Sequence, residues 1–274
     1  MSLPKIGLIG IVKEDLEADL WRTLERVSKL GYEGIELDAR EFERQGMKPS
    51  ELSNRLSEIG IELVTAHCTK YSYLEHGDAL IQQAAEMGSQ HLCIAWGPTE
   101  SADQLSSDAE LYNEMGARCR ELGMALTYHN HDHEFARMPD SRKRYLDALM
   151  QLTDPDLVRL HLDIAWATFG GVDALAYAEL YADRIAVLHM KDLQGLEVGC
   201  ETAGGSREKA RFLEVGDGIV PCAEMAEFAV RVGINWLVVE QDRPAVLSPW
   251  ESVGRSLGNL QLMLRPAVGN RVER

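Results

Sequence analysis

Short apolar runs and longer stretches of helical period alternate along the whole chain. Residues 5–11 (KIGLIGI) form a compact apolar run behind Pro4, the pattern of a buried strand. Residues 15–30 then place Leu20, Leu24, Val27 and Leu30 near helical spacing and stop at Gly31, which predicts a helix with a glycine at its C-terminal end. The same couplet recurs. Strands are predicted over 34–37, 62–66, 91–95, 124–128, 157–162, 185–188 and 236–239. Helices are predicted over 50–59, with Ser50 as N-cap, and over 77–87, 101–122, 141–152, 172–181, 221–232 and 249–264. A polar, glycine-containing loop over 194–218 is the largest insertion after a strand.

Eight β-then-α units with no linker between them predict an α/β fold, a single (β/α)8 TIM barrel covering 1–274 as one domain. An open doubly wound sheet is the alternative. It usually carries a glycine-rich turn after its first strand, and Gly7 and Gly10 do not form a GxGxxG. The length of 274 residues and a 45% hydrophobic content suit one large barrel with a substantial core.

Barrel active sites lie where the strands end, so polar residues there are the candidates. The predicted strand ends carry Glu36, His67, His129, Asp163, His189 and Glu240. Alternation puts Ala125, Thr127 and His129 on one face of the fifth strand, with Met124, Leu126 and Tyr128 on the other. His129, His131 and His133 follow one another at alternate positions in MALTYHNHDHEF (124–135). Imidazoles with carboxylates on one axis form a plausible divalent-metal set, suited to manganese, zinc, cobalt or iron, with magnesium also considered.

Charge and cysteines narrow the partners. A net charge of −16 has the wrong sign for a nucleic-acid surface. The five cysteines are scattered without a CxxC pair, which suits reduced thiols, and no apolar run approaches the roughly 18 residues of a membrane span. These features predict a cytoplasmic protein, a possible homo-oligomer, with a small-molecule partner and neither nucleic acid nor membrane.

Several short motifs carry a resemblance. YHNHDHEF (128–135), LDIAWATFGGVD (162–173), VLHMKDL (187–193), EVGDG (214–218) and VVEQD (238–242), with GIELD (34–38) and TAH (65–67), resemble the xylose-isomerase-like TIM barrels. That group includes sugar-phosphate isomerases and epimerases, inosose dehydratases and apurinic endonucleases. The resemblance implies one divalent ion held by residues after strands five to eight, which fall on His129, Asp163, His189 and Glu240. Where many members read ENH, this chain reads His129-Asn130-His131, so a histidine stands in for the first glutamate, with Glu134 as second choice. Trp166 stands where many members have a histidine, and reads as a pocket wall. His67 and Trp96 are further substrate-binding candidates.

The function the resemblance implies is a sugar or sugar-phosphate isomerase or epimerase. It would move a proton beside a carbonyl through a metal-stabilised enediolate, on a sugar or polyol ketone. Glu240 is one candidate base, and His131, Lys191 and Glu36 are candidates for the second acid/base. A metal-ligating His129 has its lone pair occupied, which weakens a symmetric two-glutamate exchange and keeps an inosose or keto-sugar dehydratase as the alternative. A non-catalytic sugar-binding protein is a third reading. Gly204, Gly205, Arg207, Lys209 and Arg211 make the loop over 194–218 locally basic, a candidate lid or a solvated loop.

Overall fold

The computed structural model describes residues 2–99, 101–139, 142–195, 210–242 and 246–265. Its strands are β1 (Lys5–Ile9), β2 (Gly34–Asp38), β3 (Glu62–Thr69), β4 (His91–Trp96), β5 (Ala125–His129), β6 (Val158–Asp163), β7 (Ile185–Met190), β8 (Asp192–Gln194), β9 (Arg211–Leu213) and β10 (Trp236–Glu240). Eight of them close a barrel in the order β1-β10-β7-β6-β5-β4-β3-β2, and β8 and β9 form a separate two-stranded sheet. The fold is a (β/α)8 TIM barrel, as the alternation of patterns implies.

The helices are α1 (Lys13–Ala18), α2 (Leu20–Leu30), α3 (Glu41–Arg44), α4 (Pro49–Ile59), α5 (Lys70–His76), α6 (Asp78–Glu86), α7 (Ala102–Glu121), α8 (Tyr145–Leu152), α9 (Ile164–Phe169), α10 (Ala174–Leu180), α11 (Cys222–Val232) and α12 (Pro249–Leu264). By their contacts the residues group into two compact units, Met1–Gly34 with Asp163–Arg274, and Ile35–Leu162. In the first, β1 pairs with β10 and β10 with β7, all parallel, and Leu8, Val187 and Val238 are fully buried. In the second, β3, β4, β5 and β6 pair in parallel. Tyr128 packs on Tyr112 of α7 with ring centroids 5.6 Å apart, so its side of β5 faces the helices. Thr127, one residue back, lies 3.5 Å from His161 Nδ1, as strand alternation requires.

Local chemistry redraws several predicted boundaries. The helix predicted over 15–30 is two, because Asp19 is extended (φ −157°) and caps α2 by accepting from Arg22 N at 3.1 Å. Ser50 is not the N-cap of α4. Lys48 is, with Pro49 first in the helix and Glu51 accepting from Lys48 N at 3.0 Å. Three short helices, α3, α5 and α9, were not predicted. Thr69 caps α5 and Asp163 caps α9, each directly at a strand end. The eighth helix was predicted from Ser141, which lies outside the described residues, and the observed span starts at Tyr145.

The insertion over 194–218 opens and closes as the antiparallel β8–β9 ladder. Asp192 anchors its return: its carboxylate accepts from the backbone N–H of Leu193, Gly216, Gly218 and Val220 at 2.7–3.0 Å. A Cβ on Gly218 would lie 2.3 Å from Asp192 Oδ1 and 2.2 Å from Leu193 O, so only glycine fits. Gly204, Gly205, Arg207 and Lys209 of the lid expectation lie outside the described residues, and Arg211 is exposed on β9.

Candidate metal centre

The ends of β2, β3 and β6 bring together a buried acid and two imidazoles. Glu36 Oε2 lies 2.7 Å from His67 Nε2, and Glu36 Oε1 lies 3.4 Å from His161 Nε2. Glu36 and His161 are buried, while His67 keeps 13% of its side chain exposed. The His161 ring meets that of His129 edge-on at 5.7 Å, which extends the row to the end of β5. Sequence reading missed His161. The signal was present, since Arg159, His161 and Asp163 alternate along β6 and share a face.

Beyond His129 the three histidines separate. His131 packs edge-on to His129 at 4.8 Å, and Trp96 closes the row with ring centroids 5.1 Å from both His131 and His133. Trp96 is 44% exposed. Glu134, the second choice for a ligand, is committed elsewhere: it accepts from Tyr128 OH at 2.9 Å and His131 N at 2.8 Å, and lies 3.1 Å from His133 Nε2. Burial raises the pKa of this carboxyl, but its contacts to His133 and His131 outweigh that and hold it below its ordinary value.

In the other unit, Asp163 and the ends of β7 and β10 form a cluster of their own. His189 Nδ1 lies 2.7 Å from Glu240 Oε2. Lys191 is buried, with Nζ 3.4 Å from Asp163 Oδ2, 3.3 Å from Glu240 Oε1 and 2.6 Å from Asp242 Oδ2. The ammonium also lies 4.9 Å from the Trp166 ring and 4.7 Å from the Phe212 ring, within cation–π range. Trp166 therefore walls the lysine, packed on Phe212 at 5.0 Å. Asp242 and Phe212 were not foreseen, because one follows the strand end by two residues and the other sits on the short β9.

Burial pushes the Asp163 carboxyl up to about 7, against the pull of Lys191. Burial alone would discharge Lys191, but Asp163, Glu240 and Asp242 raise its pKa above the ordinary lysine value and keep it charged. One cation thus serves three carboxylates.

Asp163, His189 and Glu240, all in one unit, each offer one ligand atom, and these atoms lie within 4.8 Å of one another, with His129 the fourth ligand that the resemblance implies. Three of the four are buried. Two imidazoles and two carboxylates are a chemically suitable donor set for a divalent transition ion, so the residues fit a metal. Of the acid/base candidates, Lys191 touches two of the four and His131 adjoins His129, while Glu36 is tied to His67 and His161. Among the described residues, no helix is long and apolar enough to cross a membrane.

Comparison with known proteins gives concordant likenesses. A family model for the xylose isomerase-like TIM barrel matches residues 24–261. The chain is 28% identical over 261 residues to an inosose dehydratase of Geobacillus kaustophilus, covering 84% of this chain and 82% of the relative. An inosose dehydratase of Clostridium perfringens is 31% identical over 155 residues, about half of each chain (52% and 49%). A crystal structure of a sugar phosphate isomerase/epimerase from Parabacteroides distasonis superposes with a TM-score of 0.77 at 23% identity, covering 95% of this chain and 97% of the other. That likeness is one of fold.

Proposed function

From the premise that the chain belongs to the xylose isomerase-like TIM barrel family, we propose that it is a metal-dependent lyase that dehydrates a sugar or polyol ketone. The His/Asp/Glu cluster and the family support metal-dependent isomerase, epimerase or dehydratase chemistry on a sugar in general. The observation that carries the finer reading is the histidine at position 129, where a second ligating carboxylate would make a symmetric proton exchange. The inosose dehydratase likeness over 84% of the chain favours the same choice.

His129, Asp163, His189 and Glu240 would hold the ion, which, when bound, supplies Lewis acidity to the carbonyl of the ketone. Manganese, zinc, cobalt or iron suits this mixed nitrogen and oxygen set better than magnesium, which prefers oxygen donors. Glu240 acts as the base that removes the proton beside the carbonyl. Lys191, 3.3 Å from Glu240 Oε1, fixes the orientation of that carboxylate. His131, half-buried beside His129, gives a proton to the departing β-hydroxyl, which leaves as water. Trp96 and Trp166 offer aromatic faces to the sugar, and His67 a polar contact.

An isomerase or epimerase is the second reading, favoured by the position of His131, which provides an acid/base group apart from Glu240. Incubation of the metal-loaded protein with scyllo-inosose and a panel of ketoses in D2O separates the two. Loss of water supports the lyase. Deuterium gain at unchanged formula supports the isomerase or epimerase. No exchange with a ligand that binds would refute both.

A further inference from the structure

The chemistry above leaves unused a cavity of about 440 Å3 formed within one unit, at the C-terminal ends of β2 and β3. Asp38, Arg40, Glu43, Arg44, His67 and Ala95 are among its lining residues. The geometry points to a subsite here for a neutral, hydroxyl-rich ring, the part of the substrate remote from the reacting carbonyl. This rests on the reading of the protein as an enzyme of sugar or polyol ketones.

Three observations carry it. The first is position. His67 lines the cavity and bonds to Glu36 at 2.7 Å, Glu36 lies 3.4 Å from His161, and the His161 ring meets that of His129 at 5.7 Å. A ligand in the cavity therefore adjoins the row of side chains that ends at His129, a candidate metal ligand. The register of β3 against β4 shifts between Cys68 and Thr69, also on the cavity wall, and bulges of this kind re-aim side chains beside binding sites. The second is size, since sites for small molecules commonly occupy about 300–1,000 Å3.

The third is charge, and it decides the ligand. Two arginines line the cavity, and arginine ordinarily recognises phosphate by a two-pronged fork. Here the forks are taken. Arg40 donates from Nε at 3.0 Å and from Nη2 to Glu43 Oε2, and from Nη1 to His76 Nε2 at 2.6 Å. Arg44 donates to Glu41 at 3.0 Å and lies 3.3 Å from Asp38. The lining arginines are balanced by lining carboxylates Asp38 and Glu43, and Glu41 adds a further negative charge. A phosphate dianion would have to displace these carboxylates. A hydroxyl group need not, because it can donate to a carboxylate oxygen that already accepts from arginine.

Titration calorimetry on the metal-loaded full chain tests this, with methyl β-D-glucopyranoside and myo-inositol as neutral probes and glucose 6-phosphate and inorganic phosphate as anionic ones. Neutral probes should bind at least as tightly as glucose 6-phosphate. Ala95→Leu, which narrows the cavity from its wall, should weaken them tenfold or more with metal content unchanged. Glu43→Gln, which frees the Arg40 fork at an exposed position, should raise the affinity for glucose 6-phosphate relative to the neutral probes several-fold. Tenfold preference for glucose 6-phosphate by the unaltered protein, or no binding of either neutral probe, overturns the proposal. So does a folded Ala95→Leu protein that binds as before. Should Ala95→Leu not fold, an unchanged anionic-to-neutral ratio in Glu43→Gln overturns it equally. Deuterium exchange at the carbon beside the carbonyl is read separately. Probe binding without exchange retains the subsite and removes the enzymatic reading, whereas exchange without probe binding does the reverse.

Discussion

Lys191→Met isolates the electrostatics of the candidate centre. The ammonium is buried against Asp163, Glu240 and Asp242, at 3.4, 3.3 and 2.6 Å. Methionine keeps much of the stem's volume and its packing against Trp166 and Phe212, so the loss is chiefly one of charge. Removing one partner of a buried ion pair typically costs about 3–5 kcal/mol, because the other is left uncompensated. Asp163 can escape part of this by taking up a proton, and Asp242 is exposed, so about 3 kcal/mol is expected for metal-free protein. At roughly 2–4 °C per kcal/mol this lowers the melting temperature by about 6–12 °C. With an ion bound, Asp163 and Glu240 would be satisfied by the ion, and the penalty should shrink to about 1 kcal/mol. The thermodynamic cycle then requires the variant to bind metal tighter by the difference, about 2 kcal/mol or some thirtyfold. Thermal melts with and without chelator, and competition against a fluorescent chelator, measure both arms. Equal destabilisation with and without metal, or weaker metal binding, would refute the view that Lys191 neutralises the ligand carboxylates.

The remaining predictions address the ligands, their protonation and the frame around them. Asp163→Ala or His189→Ala should abolish near-stoichiometric divalent metal in purified protein while leaving the circular dichroism spectrum intact, as metal analysis will show. Metal affinity should fall as pH drops below about 7, by up to about tenfold per unit from Asp163 alone, because the ion must displace its proton. By the same raised pKa, the contribution of Asp163 to metal-free stability is present below its unfolded value near 4 and is lost as pH rises through about 7, which denaturation at several pH values in chelator will reveal. Gly218→Ala should cost roughly 2 kcal/mol or more by chemical denaturation, since its Cβ meets Asp192 and Leu193. His129→Glu should tighten metal binding, slow water loss and raise deuterium exchange relative to elimination, which mass spectrometry in D2O resolves.

The fold was legible because hydrophobic periodicity and glycine punctuation are local signals. The final helix was placed at 249–264, and Pro249–Leu264 is what forms. The errors cluster where a polar side chain interrupts a periodic run. Asp19 divides one helix by capping the next, and Thr69 and Asp163 start short helices at strand ends that periodicity treats as loops. Of the site, residues at the ends of inward-facing alternation could be read from sequence. His161 was as legible as Asp163, but it stands one inward position earlier in its strand. Asp242 and the competition of Tyr128 and His133 for Glu134 depend on how chain segments fold back, which no spacing rule encodes.

The strand-five histidine has a consequence for the charge of the proposed metal centre. With His129, Asp163, His189 and Glu240 as ligands, two carboxylates balance a divalent ion, and Lys191 with Asp242 adds one further neutral pair. A glutamate at position 129 would leave that assembly with one negative charge in excess. A neutral ligand therefore leaves more of the ion's charge to polarise a carbonyl, favouring removal of the neighbouring proton by a single base. It also brings the centre near electrical neutrality, as the paired arginines and carboxylates do in the cavity beside His67. On the proposed reading, an assembly without surplus positive charge would favour an uncharged polyhydroxylated ketone over a sugar phosphate, and activation of that ketone would depend on the ion rather than on a cationic side chain aimed at phosphate.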